Sequence, residues 1–294
     1  MNKLAKYSIL LGLALIFLSV ILSARNLDNL WRPFYTNLDY TRSEFVSTSE
    51  INSILVDTTN MRVEIRPYGG DSVRIIYAQS NRNPIRVAED NGRLSLIRER
   101  SGTVNFSLFS FNFNMRSPEI IIEVPTDLIL EYNISTSNSR IYLRDLMVME
   151  STFRTSNNSV TIRNMISEYN VEIRTSNGRI NLNHVEVARL IAETSNSRIV
   201  AEDVEATTIT FTTSNSPINA DNILANEINL RTSNGRIEGT IIGNPNDFEQ
   251  EMRTSNGRIT INGNNHGTNV NNFNNADYRI SARTSNSHIN LNFR

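Results

Sequence analysis

Arginines recur at two fixed places around one tripeptide, Thr-Ser-Asn. Arg140, Arg179, Arg198, Arg236 and Arg258 stand four residues after the threonine; Arg154, Arg174, Arg231, Arg253 and Arg283 stand immediately before it. A guanidinium is planar, permanently charged, and grips carboxylate or phosphate through two parallel N–H bonds. In register, such groups have the chemistry of a multivalent binder of anionic polymer, such as a phosphate- or carboxylate-bearing envelope glycan. The alternative is a solvated face balanced by Glu172, Glu193, Glu202 and Glu238. The sequence favours that second reading, because like charges on neighbouring strands repel unless counter-charges intervene.

Little else has the spacing of a reactive site. His184, His266 and His288 occupy different repeat positions with no His-x-x-x-His spacing, and read as surface or corner residues. Asp221, Asp247 and Asp277 lie near Asn-rich corners where a cation could sit, but they lack the paired-aspartate pattern of a calcium loop. There is no G-x-S-x-G, and with no cysteine there are no disulfides, thiolate metal sites or cysteine nucleophiles. A polysaccharide-cleaving solenoid would need long loops to build a cleft, and the connections from Asn138 to Glu238 are nearly minimal. No catalytic residue, cofactor or metal is assigned, and the chain reads as non-enzymatic. The net charge of −1 provides no field to draw in nucleic acid.

The elements that carry these arginines are repeats. Thr-Ser-Asn begins at Thr136, Thr155, Thr175, Thr194, Thr213, Thr232, Thr254 and Thr284, in steps of 19, 20, 19, 19, 19, 22 and 30 residues. A period near twenty marks a solenoid. Apolar residues stand two before the threonine (Ile134, Phe153, Ile173) and five and seven after it (Ile141, Leu143, Ile180, Leu182). This alternation is that of a strand, and its phase slips by one at the Asn, as if a corner residue were inserted. The residue after the Asn is Gly178, Gly235 or Gly257, otherwise Ser139, Ser197, Ser216, Ser287 or Asn158. A positive φ is expected there or at the Asn itself.

The expected fold is therefore all-β: a single-stranded parallel β-solenoid of about 19–20 residues per coil, preceded by one N-terminal hydrophobic helix. Equivalent positions stack about 4.8 Å apart. The threonines would then form one column, and Asn138, Asn157, Asn177, Asn196, Asn215, Asn234, Asn256 and Asn286 another. An amide both donates and accepts, so a buried column of Asn satisfies itself, and threonines are expected to bond along their stack likewise. One coil cannot stand alone. Coil 171–187 offers five aliphatic side chains, about 10 kcal/mol of burial, and ordering its residues costs more at about 1–2 kcal/mol each.

Four regions are expected. Residues 1–24 are a signal anchor or a cleaved signal peptide, because Tyr7–Ala24 is an uncharged run behind Lys3 and Lys6. As a helix it measures about 27 Å, a short span for a bilayer core of about 30 Å. Either way the remainder is extracytoplasmic, held to the membrane or secreted. Residues 25–44 are a juxtamembrane linker in which Trp31 and Phe34 either anchor at the interface or pack on the first strands. Residues 45–134 are a β region with degenerate repeats at Thr58–Val63 and Glu89–Leu94 and a turn at 69–72. Residues 135–294 are the regular solenoid. The alternating stretch Ser101–Arg116 is expected to cover the N-terminal end of the stack, with an exposed aromatic patch as the rival reading.

Three features together resemble a bacterial family of extracytoplasmic β-repeat domains, a domain-of-unknown-function family of putative adhesins. They are Val56-Asp57-Thr58-Thr59-Asn60 followed by Val63-Glu64-Ile65, Pro118–Pro125 leading into Ile134–Asn138, and the T-S-N-[GS]-x-I copies. The likeness runs from about Phe45 to Arg294. It implies a secreted or membrane-anchored surface protein, in some cases linked to envelope-stress sensing, and no catalytic residues. Another surface protein is then a partner class beside an anionic glycan.

Overall fold

The computed structural model describes residues 40–80, 84–98 and 118–294. The run Tyr7–Ala24, most of the 25–44 linker and the stretch Ser101–Arg116 lie outside the described residues. Within them no helix is long and apolar enough to cross a membrane.

The chain is all-β. The N-terminal strands are β1 (Thr41–Val46), β2 (Ser53–Asp57), β3 (Arg62–Tyr68), β4 (Arg74–Gln79), β5 (Ile85–Asp90), β6 (Arg93–Arg98), β7 (Glu119–Pro125) and β8 (Leu130–Thr136). Five long strands follow, one per repeat: β9 (Ile141–Thr155), β10 (Val160–Thr175), β11 (Ile180–Glu193), β12 (Ile199–Thr212) and β13 (Ile218–Arg231). The C-terminal part contains β14 (Ile237–Ile241), β15 (Phe248–Arg253), β16 (Ile259–Ile261), β17 (Asn264–Asn265), β18 (Asn269–Asn272), β19 (Tyr278–Arg283) and β20 (Ile289–Phe293). From β8 to β13 every pairing is parallel, coil upon coil.

Each regular coil has three sides. The β12–β13 register runs through Ile199–Glu202, Val204–Ala206 and Thr208–Thr212 and is interrupted at Asp203 and Thr207. Ile199, Ala201, Val204, Ala206, Ile209 and Phe211 are all buried. Their spacing alternates between two and three, so one residue is inserted at each corner and every side turns its apolar face inward.

The left-handed residues lie at a corner the sequence reading did not mark. Asp145, Asn164, His184, Asp203 and Asn222, nine residues after each threonine, have φ of 57°, 52°, 53°, 54° and 58°. Asp and Asn adopt this region at least strain among residues with a side chain. Contrary to expectation, no residue of the Thr-Ser-Asn corner has positive φ among the described residues. That corner is held instead by bonds between layers: the amides of Ser195 and Asn196 both donate to the Ser176 carbonyl, at 3.1 and 2.9 Å. Glycine there answers to close approach. A Cβ on Gly178 would lie 1.6 Å from the Asn158 carbonyl oxygen, and one on Gly235 would lie 1.9 Å from that of Ser216.

Layer order departs from chain order at both ends. β19 pairs with β13 on one side and β15 on the other, and β20 likewise lies between β14 and β16. The coil of Thr284 therefore sits between those of Thr232 and Thr254. The longer steps of 22 and 30 residues let the chain pass over one layer, build the outer one and return. There β17 and β18 fold back antiparallel on β16 and β15.

At the other end β2 lies between β6 and β8, and β3 between β7 and β9. Thr58–Val63 is thus a true coil corner. Glu89–Leu94 is not: Asn91 and Gly92, at φ 49° and 75°, form the two-residue turn of the antiparallel β5–β6 hairpin. The turn at 69–72 joins β3 to β4, which are separated in the sheet by β7. β1 pairs antiparallel with β4 and begins at Thr41, inside the stretch read as linker.

Candidate functional site

The Thr-Ser-Asn corner carries two ladders of different chemistry. Outside, each Asn side-chain amide donates to the Asn oxygen of the preceding layer. The chain of bonds runs Asn60, Asn138, Asn157, Asn177, Asn196, Asn215, Asn234, Asn286, Asn256, each bond 2.7 or 2.8 Å long. From Asn138 onward these asparagines are exposed, not buried as the sequence reading assumed. The first of them comes from the degenerate copy, and Asn286 takes its place ahead of Asn256.

Inside, the buried members are the threonines: Thr136, Thr155, Thr175, Thr194, Thr213, Thr232, Thr254 and Thr284 are all at most 8 % exposed. They do not bond to one another. From Thr155 onward each Oγ1 donates to the backbone carbonyl of the residue after Asn in the neighbouring layer. Examples are Thr155 to Ser139 (3.0 Å), Thr194 to Gly178 (3.1 Å), Thr213 to Ser197 (3.0 Å) and Thr254 to Ser287 (2.7 Å). The hydroxyl sits beside a carbonyl that the turning backbone leaves unpaired, and a buried carbonyl without a donor is costly. In the glycine copies the same hydroxyl also accepts from the glycine amide, as in Gly178 to Thr175 at 3.0 Å.

The arginines flank this corner, and all ten are exposed. Backbone bonds between layers set the order of the column four residues after the threonine: Arg140, Ser159, Arg179, Arg198, Pro217, Arg236, His288, Arg258. Arg179 and Arg198 are immediate neighbours in it, and Arg140 stacks on Arg62 of the β3 layer, which pairs with Glu64 and Glu119; elsewhere a neutral residue or histidine separates the guanidinium groups, which limits their repulsion. Among the described residues Arg140, Arg179, Arg198 and Arg258 have no ion-pair partner, and Arg236 meets Glu238 at 2.7 Å.

The column before the threonine is different. It reads Arg154, Arg174, Glu193, Thr212, Arg231, Arg283, Arg253. Glu172 binds Arg154 at 2.8 Å and also Arg174, Glu193 meets Arg174 at 2.9 Å, and Glu251 binds Arg283. Partial burial pushes the Glu172 carboxyl up, but its bonds to Arg154 and Arg174 outweigh that and hold it below the usual carboxylate range. Arg231 and Arg253 have no ion-pair partner among the described residues. Glu202, expected as a counter-charge, accepts from Asn183 instead.

The remaining candidates do not converge. His184 lies 3.4 Å from Asp203, His288 lies 3.2 Å from Glu238, and His266 is exposed in the C-terminal hairpin. Among the described residues no group of three or more His, Asp or Glu could hold a metal ion.

Sequence reasoning missed two features. The corner at Asp145, Asn164, His184, Asp203 and Asn222 had a signal: the apolar positions seven and ten after the threonine are three apart, with a turn-forming residue between. The ion cluster of Arg66, Arg74, Glu64 and Glu123 had none, because β3, β4 and β7 meet only in the sheet. Burial raises the Glu123 carboxyl, and its bonds to Arg66 and Arg74 more than reverse this.

A family model described as Toastrack DUF4097 matches residues 51–292. The chain belongs to the Toastrack DUF4097 family. The family match covers every Thr-Ser-Asn copy and stops short of Tyr7–Ala24. Among solved structures the Toastrack chain is similar to a putative adhesin from Bacteroides fragilis at 11% identity, covering 87% of this chain and 97% of that one, with a TM-score of 0.45. A putative adhesin from Parabacteroides distasonis shares 11% identity, with 88% and 98% covered and a TM-score of 0.34. A putative lipid binding protein from the same organism also shares 11%, with 88% and 98% covered and a TM-score of 0.31. No curated protein matches the chain.

Proposed function

We propose that this Toastrack chain is a non-enzymatic extracytoplasmic module, a stiff β stack held at the membrane by Tyr7–Ala24. It presents the arginines of its Thr-Ser-Asn corner to an anionic envelope polymer. The observation that carries this reading is the set Arg140, Arg179, Arg198 and Arg258. They are exposed, unpaired among the described residues, and mounted on one column at successive intervals of two, one and four layers, about 10, 5 and 20 Å, with the Glu238-paired Arg236 midway across the last. The backbone mounts of Arg140, Arg179 and Arg198 are rigid, since each follows a corner bonded to both neighbouring layers, so binding orders their side chains but not the backbone. A polymer with regularly spaced phosphates or carboxylates can engage several guanidinium groups at once. The competing reading, a spacer with a solvated basic face, draws on the other column, where Glu172, Glu193 and Glu251 already neutralise Arg154, Arg174 and Arg283.

The test is retention of the full chain, in nanodiscs of zwitterionic lipid, on immobilised poly(glycerol phosphate) and polygalacturonate over a salt series. Exposed charges are screened within about 10 Å at 0.1 M salt, so retention falls steeply as salt rises. Replacing Arg179, Arg198 and Arg236 together with Gln lowers affinity by about tenfold, at about 0.2–1 kcal/mol per exposed pair, and leaves the fold intact. Equal retention of the triple variant means that the arginines are only a solvated face, and the chain is then a surface spacer.

A further inference from the structure

The shortest side of the coil bears an outward column unlike the others. Met147, Ile166, Glu186, Glu205 and Leu224 occupy equivalent positions in successive layers. Met147 and Ile166 are 41% and 49% exposed, and Ile242, 37% exposed, continues the apolar file at the C-terminal end. A groove of about 700 Å³ runs over this file. Its wall is the left-handed corner, and it is lined by Asp127, Asp145, Glu186, Asp203 and Glu205 but by no Lys or Arg. Arg144 pairs with Asp145 at 3.2 Å and His184 approaches Asp203 at 3.4 Å. Asp127, Glu186 and Glu205 have no ion-pair partner among the described residues.

We propose that this groove binds a cationic amphipathic polypeptide segment from another molecule. Its aliphatic side chains lie on Met147, Ile166, Leu224 and Ile242, and its Lys or Arg side chains meet Glu186, Glu205 and Asp127. A file of exposed aliphatic side chains is a surface that gains by being covered. The unpaired carboxylates set the sign of the guest. They interrupt the apolar file at its middle, so a wholly apolar guest would bury two charges without partners. From Asp145 to Asn222 the groove crosses five layers, about 20 Å, which a helix of about 14 residues spans. The net charge of −1 conceals this arrangement, since one corner of the stack is basic and the side beyond another is acidic. The inference stands apart from the arginine reading, because residues, side and sign all differ.

The experiment measures fluorescence anisotropy of a labelled Leu/Lys helix-forming peptide, about 14 residues long, against the full chain in zwitterionic nanodiscs, with empty discs as blank. Saturable, salt-sensitive binding is expected. Glu186→Gln with Glu205→Gln weakens it about three- to tenfold. Ile166→Ser weakens it as well, and Arg179→Gln leaves it unchanged. Three results would overturn the proposal. One is equal binding by the double glutamine variant. Another is equal binding of a neutral Leu/Ser peptide. The third is self-association of the chain that Ile166→Ser abolishes, which would make a second copy the occupant.

Discussion

Thr213→Val separates the two ladders of the Thr-Ser-Asn corner. Thr213 is 2 % exposed, and its hydroxyl donates to the Ser197 carbonyl at 3.0 Å. Valine keeps the shape, so no cavity opens; what is lost is the donor, and the part-buried Ser197 carbonyl is left without one. Leaving a buried acceptor unpaired costs about 1–3 kcal/mol. Asn196 is exposed; its side chain donates to Asn177 and accepts from Asn215, both at 2.7 Å. Asn196→Ala removes two hydrogen bonds, but water replaces them, so the net cost is about 1 kcal/mol. For a unit of this size 1 kcal/mol moves the midpoint by about 2–4 °C. Thermal melts followed by far-ultraviolet circular dichroism should therefore show a fall of about 2–12 °C for Thr213→Val and about 2–4 °C for Asn196→Ala. Asn264→Ala, in the exposed C-terminal hairpin, should stay within about 0.5 kcal/mol of the parent. A Thr213→Val protein as stable as the parent, or less affected than Asn196→Ala, would show that the buried hydroxyls do not hold the corner.

Tyr132 is 1% exposed and its hydroxyl has no hydrogen-bond partner among the described residues; burial alone pushes its pKa up. Tyr132→Phe should raise the melting temperature, by about 1–3 kcal/mol in stability, since it removes an unpaired polar atom; a lower midpoint would reveal a partner. Gly178→Ala should destabilise by about 1–3 kcal/mol or more, because the new methyl meets backbone rather than a movable side chain, whereas Gly263→Ala, with nothing within 4 Å, incurs only the strain of its positive φ. The Glu123 carboxyl is held below its ordinary value of 4.5. Its contribution is thus complete above pH 4.5 and is lost as pH falls through the lowered folded value. Melts between neutral and acid pH should show a shallower acid loss for Glu123→Gln than for the parent, from a lower starting point; parallel curves would exclude Glu123 as a source of the acid sensitivity.

The repeat spacing determined that the chain is β, that its coils stack in parallel, and that Thr and Asn recur in columns. These follow from period and side-chain alternation, which are local properties of the chain. Asn60 was legible for the same reason, because Thr58–Val63 keeps the alternation of a full copy. The tertiary structure decided what depends on which segments meet. Sequence order places Thr254 next to Thr232, yet the coil of Thr284 lies between them, because longer connections allow either order and only packing of the end layers selects one. Residue type indicates that Asn can pair with Asn, but not that the corner turns Asn toward water and Thr toward the core. That choice follows from the backbone carbonyl each threonine hydroxyl must satisfy. The arginine columns were visible as positions, whereas their neutralisation was not, since Glu251 reaches Arg283 only after β19 is inserted beside β15. The acidic groove is the most tertiary feature of all. Met147, Ile166, Glu186, Glu205 and Leu224 are unremarkable in their own strands and form a surface only when the coils lie in register.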